Sequence, residues 1–225
     1  MDVRDAVASR HSCRAFLPTP IPEAIVRDIV EHAARAPSGG NLQAWRVYAI
    51  AGKRVEALKA LLAPRMGELP KGEGSEYQIF PTDLKEPYRT RRFAVGEQLY
   101  RSIGIPREDR PARIRQFAKN FEFFGAPVGL FFAIDRSMLP AQWADLGGYI
   151  QSVMLLARAY GLDTCPQEAW ITWQRTMRSF LVLPPELMLF CGMALGYADV
   201  AAPINSWRST RVPLDTFATF EGFVG

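Results

Sequence analysis

Two stretches at opposite ends of the chain combine residue types that bind anions. The first carries two guanidinium groups, an imidazole and a hydroxyl within five consecutive residues, Arg10, His11, Ser12, Cys13 and Arg14. The second, at residues 205–214, adds Arg208 and Arg211 among several hydroxyl groups. Charge-assisted hydrogen bonds from guanidinium groups are stronger than neutral ones, so these residue types suit a phosphate. A solvated polar segment is the alternative for each stretch taken alone.

Two further stretches offer backbone and amide groups to the edge of a heterocycle. Residues 37–43 contain two glycines, which allow a ligand close to the backbone, together with Pro37, Ser38, Asn41 and Gln43. A helix-ending loop explains these glycines but not the pair of amides. Residues 166–169 follow a predicted core helix, and a loop there could present N–H groups to a bound ring.

Composition and motifs exclude several other chemistries. The 225-residue chain has two histidines and three scattered cysteines, which support neither a zinc hydrolase nor a disulfide framework, and no metal site is expected. It contains neither a GxSxG nucleophile elbow nor a phosphate-cradling GxxxxGKS/T loop. The net charge of +4 sets 27 basic against 23 acidic residues without a long basic run, so nucleic acid is not the expected partner.

Hydropathy and the first residues bear on location. The longest apolar runs, at residues 128–134 and 187–195, are far shorter than the ~20 residues that cross a bilayer, so no membrane span is expected. The first residues lack the basic and apolar regions of a secretory signal. We therefore expect a cytoplasmic protein.

The sequence pattern also predicts the elements that position these stretches. Apolar residues recur with helical period after Pro22 and stop at Pro37, while β-branched and aromatic runs indicate strands. Helices are predicted at residues 21–36, 53–63, 91–103, 110–124, 143–157 (closed by Gly161) and 172–181, and strands at 45–50, 128–134 and 187–194. This order favours an α+β fold, an α/β sandwich, in a single domain over residues 1–225.

Two segments carry no clear period. Residues 64–92 mix proline, glycine and charge, which is typical of a long exposed excursion that serves as a lid. The tail at residues 201–225 bears Phe217, Phe220 and Phe223, which are too few to form a core of their own. We therefore expect the tail to pack on another subunit.

Taken together, the four stretches resemble the FMN-dependent nitroreductase family, from about Arg10 to Phe223. The most specific motifs are Arg10-His11-Ser12-x-Arg14, Pro37-Ser38-x-x-Asn41-x-Gln43, Leu195-Gly196-Tyr197 and Arg211-Val212-Pro213-Leu214. Residues 86–89, 124–127 and 164–167 are most similar to the subgroup of nitrobenzoate and nitrophenol reductases.

The resemblance implies a mixed sheet flanked by helices, and a homodimer with FMN at the interface and the tail extended onto the partner. It assigns the FMN phosphate to Arg10, His11, Ser12 and Arg211, and the flavin N1 and O2 edge to Arg14. Arg208 is an additional residue that either joins the phosphate group or lies at the surface. The resemblance assigns a loop supplied by the partner chain to Pro37, Ser38, Asn41 and Gln43, and the segment over flavin N5 to Pro166, Gln167, Glu168 and Ala169. Many relatives have glycine at the position of Ala169, which leaves the N5 contact open.

The same resemblance implies ping-pong chemistry, in which NADH or NADPH delivers hydride to flavin N5 and a small nitroaromatic or quinone-type acceptor then takes its place. No side chain acts as nucleophile or general base in this scheme, so no catalytic residue is assigned. Two alternatives remain. One is an FMN-dependent reductive dehalogenase or enone reductase on the same scaffold, and the other is a non-enzymatic flavin- or nucleic-acid-binding module.

Overall fold

The computed structural model describes residues 1–223, so the last two residues of the predicted tail lie outside it. The helices are α1 (Val3–Ser9), α2 (Glu23–Ala33), α3 (Lys53–Leu62), α4 (Tyr88–Ser102), α5 (Arg110–Ala118), α6 (Pro140–Ala159) and α7 (Gln174–Leu181). The strands are β1 (Phe16–Leu17), β2 (Trp45–Ala51), β3 (Val128–Asp135), β4 (Asp163–Gln167) and β5 (Leu187–Ala198). Short 3-10 turns cover Gly39–Asn41, Ala63–Glu68, Lys119–Gly125, Glu168–Thr172, Pro203–Asn205 and Leu214–Thr216.

The twelve-residue strand β5 organises the sheet. It pairs with β3 along one edge and with β4 and β1 along the other, and β2 pairs with the free edge of β3. The pairings between these named strands are all antiparallel, so the expected mixed sheet is wrong in that detail. The parallel contact at this end is an isolated bridge between Ser12 and Thr164. The α+β fold itself is confirmed.

Helices and 3-10 turns cover both faces of the sheet. On one face, α2 and α6 pack against apolar side chains of β3 and β5, with Tyr149 stacked on Trp45 at 4.9 Å between ring centroids. On the other face, α3, α7 and a cluster of aromatic rings around Trp170 complete a second apolar layer. Because β3 is covered on both faces, its sequence is a continuous apolar run rather than an alternating one. Within residues 1–223, no helix is both long and apolar enough to cross a membrane.

One predicted helix boundary is wrong for a packing reason. The helix predicted at residues 110–124 ends at Ala118, and Phe123 and Phe124 then adopt left-handed backbone angles with φ of 52° and 53°. The Phe123 ring lies on Gly129, where a Cβ atom would come within 2.3 Å of it. The chain therefore leaves the helix to place an aromatic ring where β3 has no side chain.

The predicted excursion is partly anchored rather than free. Glu73 accepts hydrogen bonds from the Thr176 hydroxyl at 2.6 Å and from Arg65 Nη1 at 2.9 Å. It also accepts from the backbone N–H groups of Arg175 and Thr176 at the start of α7. Farther along, the Tyr77 hydroxyl donates to the carbonyl oxygen of Phe190 in β5. The segment up to Tyr77 is thus tied to the body, and α4 already begins at Tyr88.

The Glu73 contacts predict a pH-dependent contribution to stability. Burial opposes ionisation of this carboxyl, but hydrogen bonds from Thr176, Arg65 and the α7 N–H groups outweigh it and lower its pKa to about 2. Because the pKa of Glu73 is lower in the folded state, its ionised carboxyl stabilises the fold at pH values above the unfolded pKa near 4.5. That contribution is lost as the pH falls toward 2. We expect Glu73→Gln to lose about 2–3 kcal/mol of unfolding free energy at pH 7, and less at pH 3.

Urea unfolding at pH 3, 5 and 7 measures this difference. Glu56→Gln is the matched control, since Glu56 is an exposed partner of Lys59 on α3 and should change stability by less than ~0.5 kcal/mol. A deficit for Glu73→Gln that is the same at all three pH values would contradict the assignment.

Candidate functional site

The N-terminal segment and the tail meet around one cavity of about 500 Å³, here named the basic cavity. Its polar lining consists of Arg10, His11, Ser12, Arg14, Trp207, Arg208, Ser209 and Arg211, and its apolar lining of Val7, Ala8, Val95 and Ile204. The two anion-binding stretches of the sequence are therefore brought together within a single chain. Four of these residues are arginines and none is acidic.

Positively charged side chains crowd the basic cavity. Burial and the neighbouring charge of Arg211 lower the pKa of the Arg10 guanidinium. Burial and the charge of Arg208 likewise lower the pKa of His11. Like charges this close destabilise one another unless an anion lies between them. The arrangement therefore favours a bound anion.

Two buried nitrogen atoms in the lining residues also favour a bound ligand. His11 Nε2 and Trp207 Nε1 are buried and have no hydrogen-bond partner among the described residues. Buried polar atoms in folded proteins are nearly always paired, and each unpaired one costs about 1–3 kcal/mol. A ligand bearing hydrogen-bond acceptors would satisfy the indole N–H and a protonated imidazole.

Local structure fixes the N-terminal half of the cavity. The helix α1 ends where Arg10 turns into extended backbone. The Cys13 N–H then donates to the carbonyl oxygen of Thr164 in β4 at 2.9 Å. One residue later, the Arg14 N–H donates to Asn205 Oδ1 at 2.8 Å. The arginines therefore project from backbone that is held at two points.

Asn205 is a positioning residue that sequence reasoning missed. Its side chain is buried, and its Nδ2 donates to the carbonyl oxygens of Ala15 and Asp199, both at 2.9 Å. With the bond from Arg14, this one amide joins the N-terminal segment to the start of the tail. Asn205 stood in the predicted anion-binding stretch, but nothing in its local sequence separated it from its neighbours.

Hydrogen bonds within the chain orient the guanidinium groups but use only some of their N–H donors. Arg208 Nη1 donates to the carbonyl oxygen of Asn205 at 2.9 Å, and Arg211 Nη1 donates to Ser209 Oγ at 2.7 Å. Arg14 Nη1 donates to the carbonyl oxygen of Ser12 at 3.2 Å. A guanidinium group has five N–H donors, so each of these side chains keeps donors for an anion.

The loop at residues 37–43 does not line the basic cavity of its own chain. The Gln43 N–H donates to Ser38 Oγ at 3.1 Å. Asn41 and Gln43 have left-handed backbone angles, with φ of 56° and 51°. Pro37, Asn41 and Gln43 are exposed and Ser38 is half-buried. The side chains of this loop thus remain accessible to another molecule.

The side chains of the segment at residues 166–169, at the end of β4, have different surroundings. Gln167 is buried, with Nε2 donating to the carbonyl oxygen of Asn120 at 2.7 Å and Oε1 accepting from Trp170 Nε1 at 3.2 Å. Its side chain therefore faces the core, and only its backbone remains for a ligand. Glu168 is exposed, and Pro166 and Ala169 are half-buried at the end of β4. None of these four residues lines the basic cavity.

Comparison with known proteins decides the family. A model of the nitroreductase family matches residues 7–197. The chain belongs to the nitroreductase family. It is 40% identical over 222 residues to a 4-nitrobenzoate reductase of Pseudomonas putida, a match that covers 99% of this chain and 96% of that protein.

Solved nitroreductase structures share the fold. The FMN- and NADPH-dependent nitroreductase NfnB of Sphigopyxis sp. strain HMH superimposes with a TM-score of 0.95 at 45% identity, covering 99% of this chain and all of that one. NfnB of Mycobacterium smegmatis, in complex with NADPH, superimposes with a TM-score of 0.92 at 27% identity and covers 97% of each chain. The family resemblance inferred from the four stretches is thus confirmed.

The fold adds cavity-lining residues that the sequence motifs do not contain. Val95 enters the basic cavity from α4, about 80 residues from Arg14, and Trp207 reaches it from the tail. Across residues 1–223, no three His, Cys, Asp or Glu side chains cluster in a way that could hold a metal ion. The basic cavity itself supplies positive charge and hydrogen-bond donors.

Proposed function

We propose that this chain is a single-domain FMN-dependent oxidoreductase that transfers hydride equivalents from NADH or NADPH to small nitroaromatic or quinone-type acceptors. The observation that carries the proposal is the basic cavity, with four arginines, no acid and two unpaired buried nitrogens. Relatives similar over nearly the full length are named as a 4-nitrobenzoate reductase and as an FMN- and NADPH-dependent nitroreductase. Both names fit a cavity that binds a phosphate-bearing cofactor.

The residues of the basic cavity suit the phosphate of FMN. Arg10, Arg208 and Arg211 supply charged donors, and Ser12 supplies a hydroxyl beside them. A phosphate dianion offsets the mutual repulsion of these guanidinium groups, because several charge-assisted hydrogen bonds then replace it. Because the polar lining consists of positively charged and neutral groups without an acidic side chain, FMN fits better than riboflavin, which has no phosphate.

When bound, FMN supplies the redox chemistry, taking a hydride at N5 and passing two electrons on. The chain supplies position and charge. Arg14 is the residue proposed for the N1 and O2 edge, and its backbone is held by Asn205. A fixed positive charge stabilises negative charge that develops beside it. No side chain is assigned as a general acid in this scheme, so we propose that the protons come from water.

The tail supports a homodimer with FMN at its interface. Phe217, Phe220 and Phe223 are 68%, 61% and 80% exposed, which leaves three aromatic side chains without cover in a single chain. The strand β2 lies at the end of the sheet, with one edge unpaired by the described strands. The exposed residues 37–43 would supply Pro37, Ser38, Asn41 and Gln43 to the neighbouring site. These features favour a second copy of the chain as the partner.

Replacing Phe217, Phe220 and Phe223 by serine is expected to convert a dimer into a monomer. Each buried phenylalanine contributes about 1.5–3 kcal/mol, so loss of three weakens association by several orders of magnitude. Light scattering coupled to gel filtration measures the mass. Serine at Val182 and Val200, which are 79% and 88% exposed, is the matched control and should leave the mass unchanged. A dimer that survives the triple replacement would exclude the tail from the interface.

The activity itself is tested by spectroscopy. The purified protein should be yellow or should take up added FMN, and NADPH or NADH should bleach the flavin band without oxygen. Addition of 4-nitrobenzoate, a quinone, a halogenated phenol or an enone should then restore the band for the true acceptors only. A colourless protein that takes up no FMN would end the proposal. Reoxidation by the halogenated phenol or enone alone would favour those alternatives.

A further inference from the structure

An ion pair between a buried carboxylate and a half-buried guanidinium lies next to His11, a lining residue of the basic cavity. Asp163, the first residue of β4, is 6% exposed, and its Oδ1 is 2.8 Å from Arg158 Nη1 of α6. Arg158 also donates to the carbonyl oxygen of Leu162 at 3.0 Å and to Ser9 Oγ at 3.2 Å. The pair is thus fixed between α1, α6 and β4. None of the roles inferred so far uses it.

His11 lies between this ion pair and the cavity. Its Nδ1 is 3.3 Å from the carbonyl oxygen of Ser9 and 3.7 Å from Asp163 Oδ1. Both neighbours are acceptors, so Nδ1 carries the proton in the neutral ring. Nε2 on the opposite side of the ring is then an unprotonated acceptor, and it is the buried nitrogen without a partner.

The charges around His11 oppose one another. Asp163 of β4 favours the protonated ring, whereas Arg208 of the tail and Arg158 of α6 disfavour it. Burial is the largest effect, and together with the two arginines it lowers the pKa of the free His11 below its ordinary value of 6.5. The ring is therefore neutral near pH 7, with an acceptor beside a cavity that is suited to anions.

We propose that Asp163, held by Arg158, is a positioning residue that orients His11, and that a phosphate group bound in the basic cavity is accompanied by proton uptake at His11 Nε2. The proton comes from solvent, and the new Nε2–H donates to a phosphate oxygen. A dianion also offsets the charge of Arg208, which removes one obstacle to protonation. The identity of the phosphate bearer rests on the proposed function, in which it is FMN.

The chain makes the protonation measurable because it has two histidines, His11 and His32. His32→Gln leaves a single imidazole whose nitrogen chemical shifts report both tautomer and charge. The variant is titrated from pH 5.5 to 9 in three states: FMN-loaded, riboflavin-loaded and free of flavin. Saturating inorganic phosphate is a fourth arm that distinguishes free phosphate from the cofactor.

We expect the Nδ1–H tautomer without phosphate, and a pKa at least one unit higher in the FMN-loaded protein than in the riboflavin-loaded one. A rise with inorganic phosphate alone would identify the anion, rather than the flavin, as the cause. FMN binding without any change at His11 would overturn the inference and leave the proposed function intact. Failure to bind any flavin would overturn the proposed function instead.

Affinity gives a second readout. The phosphate of FMN stays a dianion above its pKa near 6, so its own charge changes little over this range. Because binding is coupled to proton uptake at His11, the affinity for FMN should fall by up to roughly tenfold as the pH rises from 6.5 to 8.5. His11→Gln should abolish this dependence. Asp163→Asn should lower the His11 pKa and weaken FMN binding at pH 7.5 by about tenfold, with riboflavin affinity unchanged.

The chain offers a matched control in a second Asp–His pair. Asp28 and His32 on α2 lie 3.3 Å apart at an exposed site outside the lining of the basic cavity. Asp28→Asn should leave the pH profile of FMN affinity unchanged. A profile for Asp163→Asn with the wild-type slope and position would show that Asp163 only supports the fold, and would overturn its positioning role.

Discussion

Alanine in place of Arg10 or Arg211 should cost the protein most of its affinity for FMN. Hydrogen bonds to charged groups contribute about 1.5–3 kcal/mol each, which corresponds to roughly 10- to 150-fold in the dissociation constant. Both guanidinium groups line the basic cavity, and the charge of Arg211 already lowers the pKa of Arg10. Removing one therefore relieves repulsion on the other. The double variant should lose less than the product of the two single effects.

Quenching of flavin fluorescence measures these affinities. Riboflavin is the internal comparison, because a ligand without phosphate should bind both single variants and the wild type alike. Arg27→Ala is the matched control, since Arg27 is an exposed partner of Glu23 on α2 and carries the same charge. Unchanged FMN affinity in both single variants would remove these arginines from the phosphate site.

Residue types alone could predict the chemistry of the cavity, but not its complete lining. Arg10, Arg14, Arg208 and Arg211 stand out because guanidinium groups cluster within short stretches. Trp207 has no such signal, since its unpaired indole nitrogen is visible only in three dimensions. The core-facing side chain of Gln167 could not be predicted for the same reason. Its partner Asn120 is 47 residues away, and no local pattern announces that contact.

The fold shows the same division between local and long-range information. Strands β2, β3 and β5 follow from apolar and β-branched runs, and α6 from an apolar stripe. The strand β4, with the sequence Asp-Thr-Cys-Pro-Gln, has no such pattern and exists because β5 offers it an edge. The anchoring of the predicted excursion is equally hidden, because Glu73 finds Thr176 about 100 residues later.

Asn205 is the residue at which long-range structure and function meet. Its amide accepts from the Arg14 N–H and donates to the carbonyl oxygens of Ala15 and Asp199. The two carbonyl oxygens keep other donors, the N–H groups of Asp199 and Ala202. The Arg14 N–H has no second acceptor among the described residues. Loss of the amide would therefore leave one half-buried donor without its acceptor and release the tail from the N-terminal segment.

We expect Asn205→Ala to lower the free energy of unfolding by roughly 2–4 kcal/mol, a large part of the ~5–15 kcal/mol typical of a domain, and to weaken FMN binding as well. Urea unfolding and FMN titration measure the two effects.

Asn205→Asp separates the two kinds of hydrogen bond. It keeps the acceptor for Arg14 but directs a carboxylate at two carbonyl oxygens, which raises the pKa of that carboxyl in the folded state. Its stability should therefore fall as the pH rises from 4 to 8, whereas the deficit of Asn205→Ala should not vary. Ser206→Ala, an exposed neighbour, is the control. Wild-type stability and FMN affinity in Asn205→Ala would mean that the arginines of the tail reach the cavity without the hydrogen bonds of the Asn205 amide.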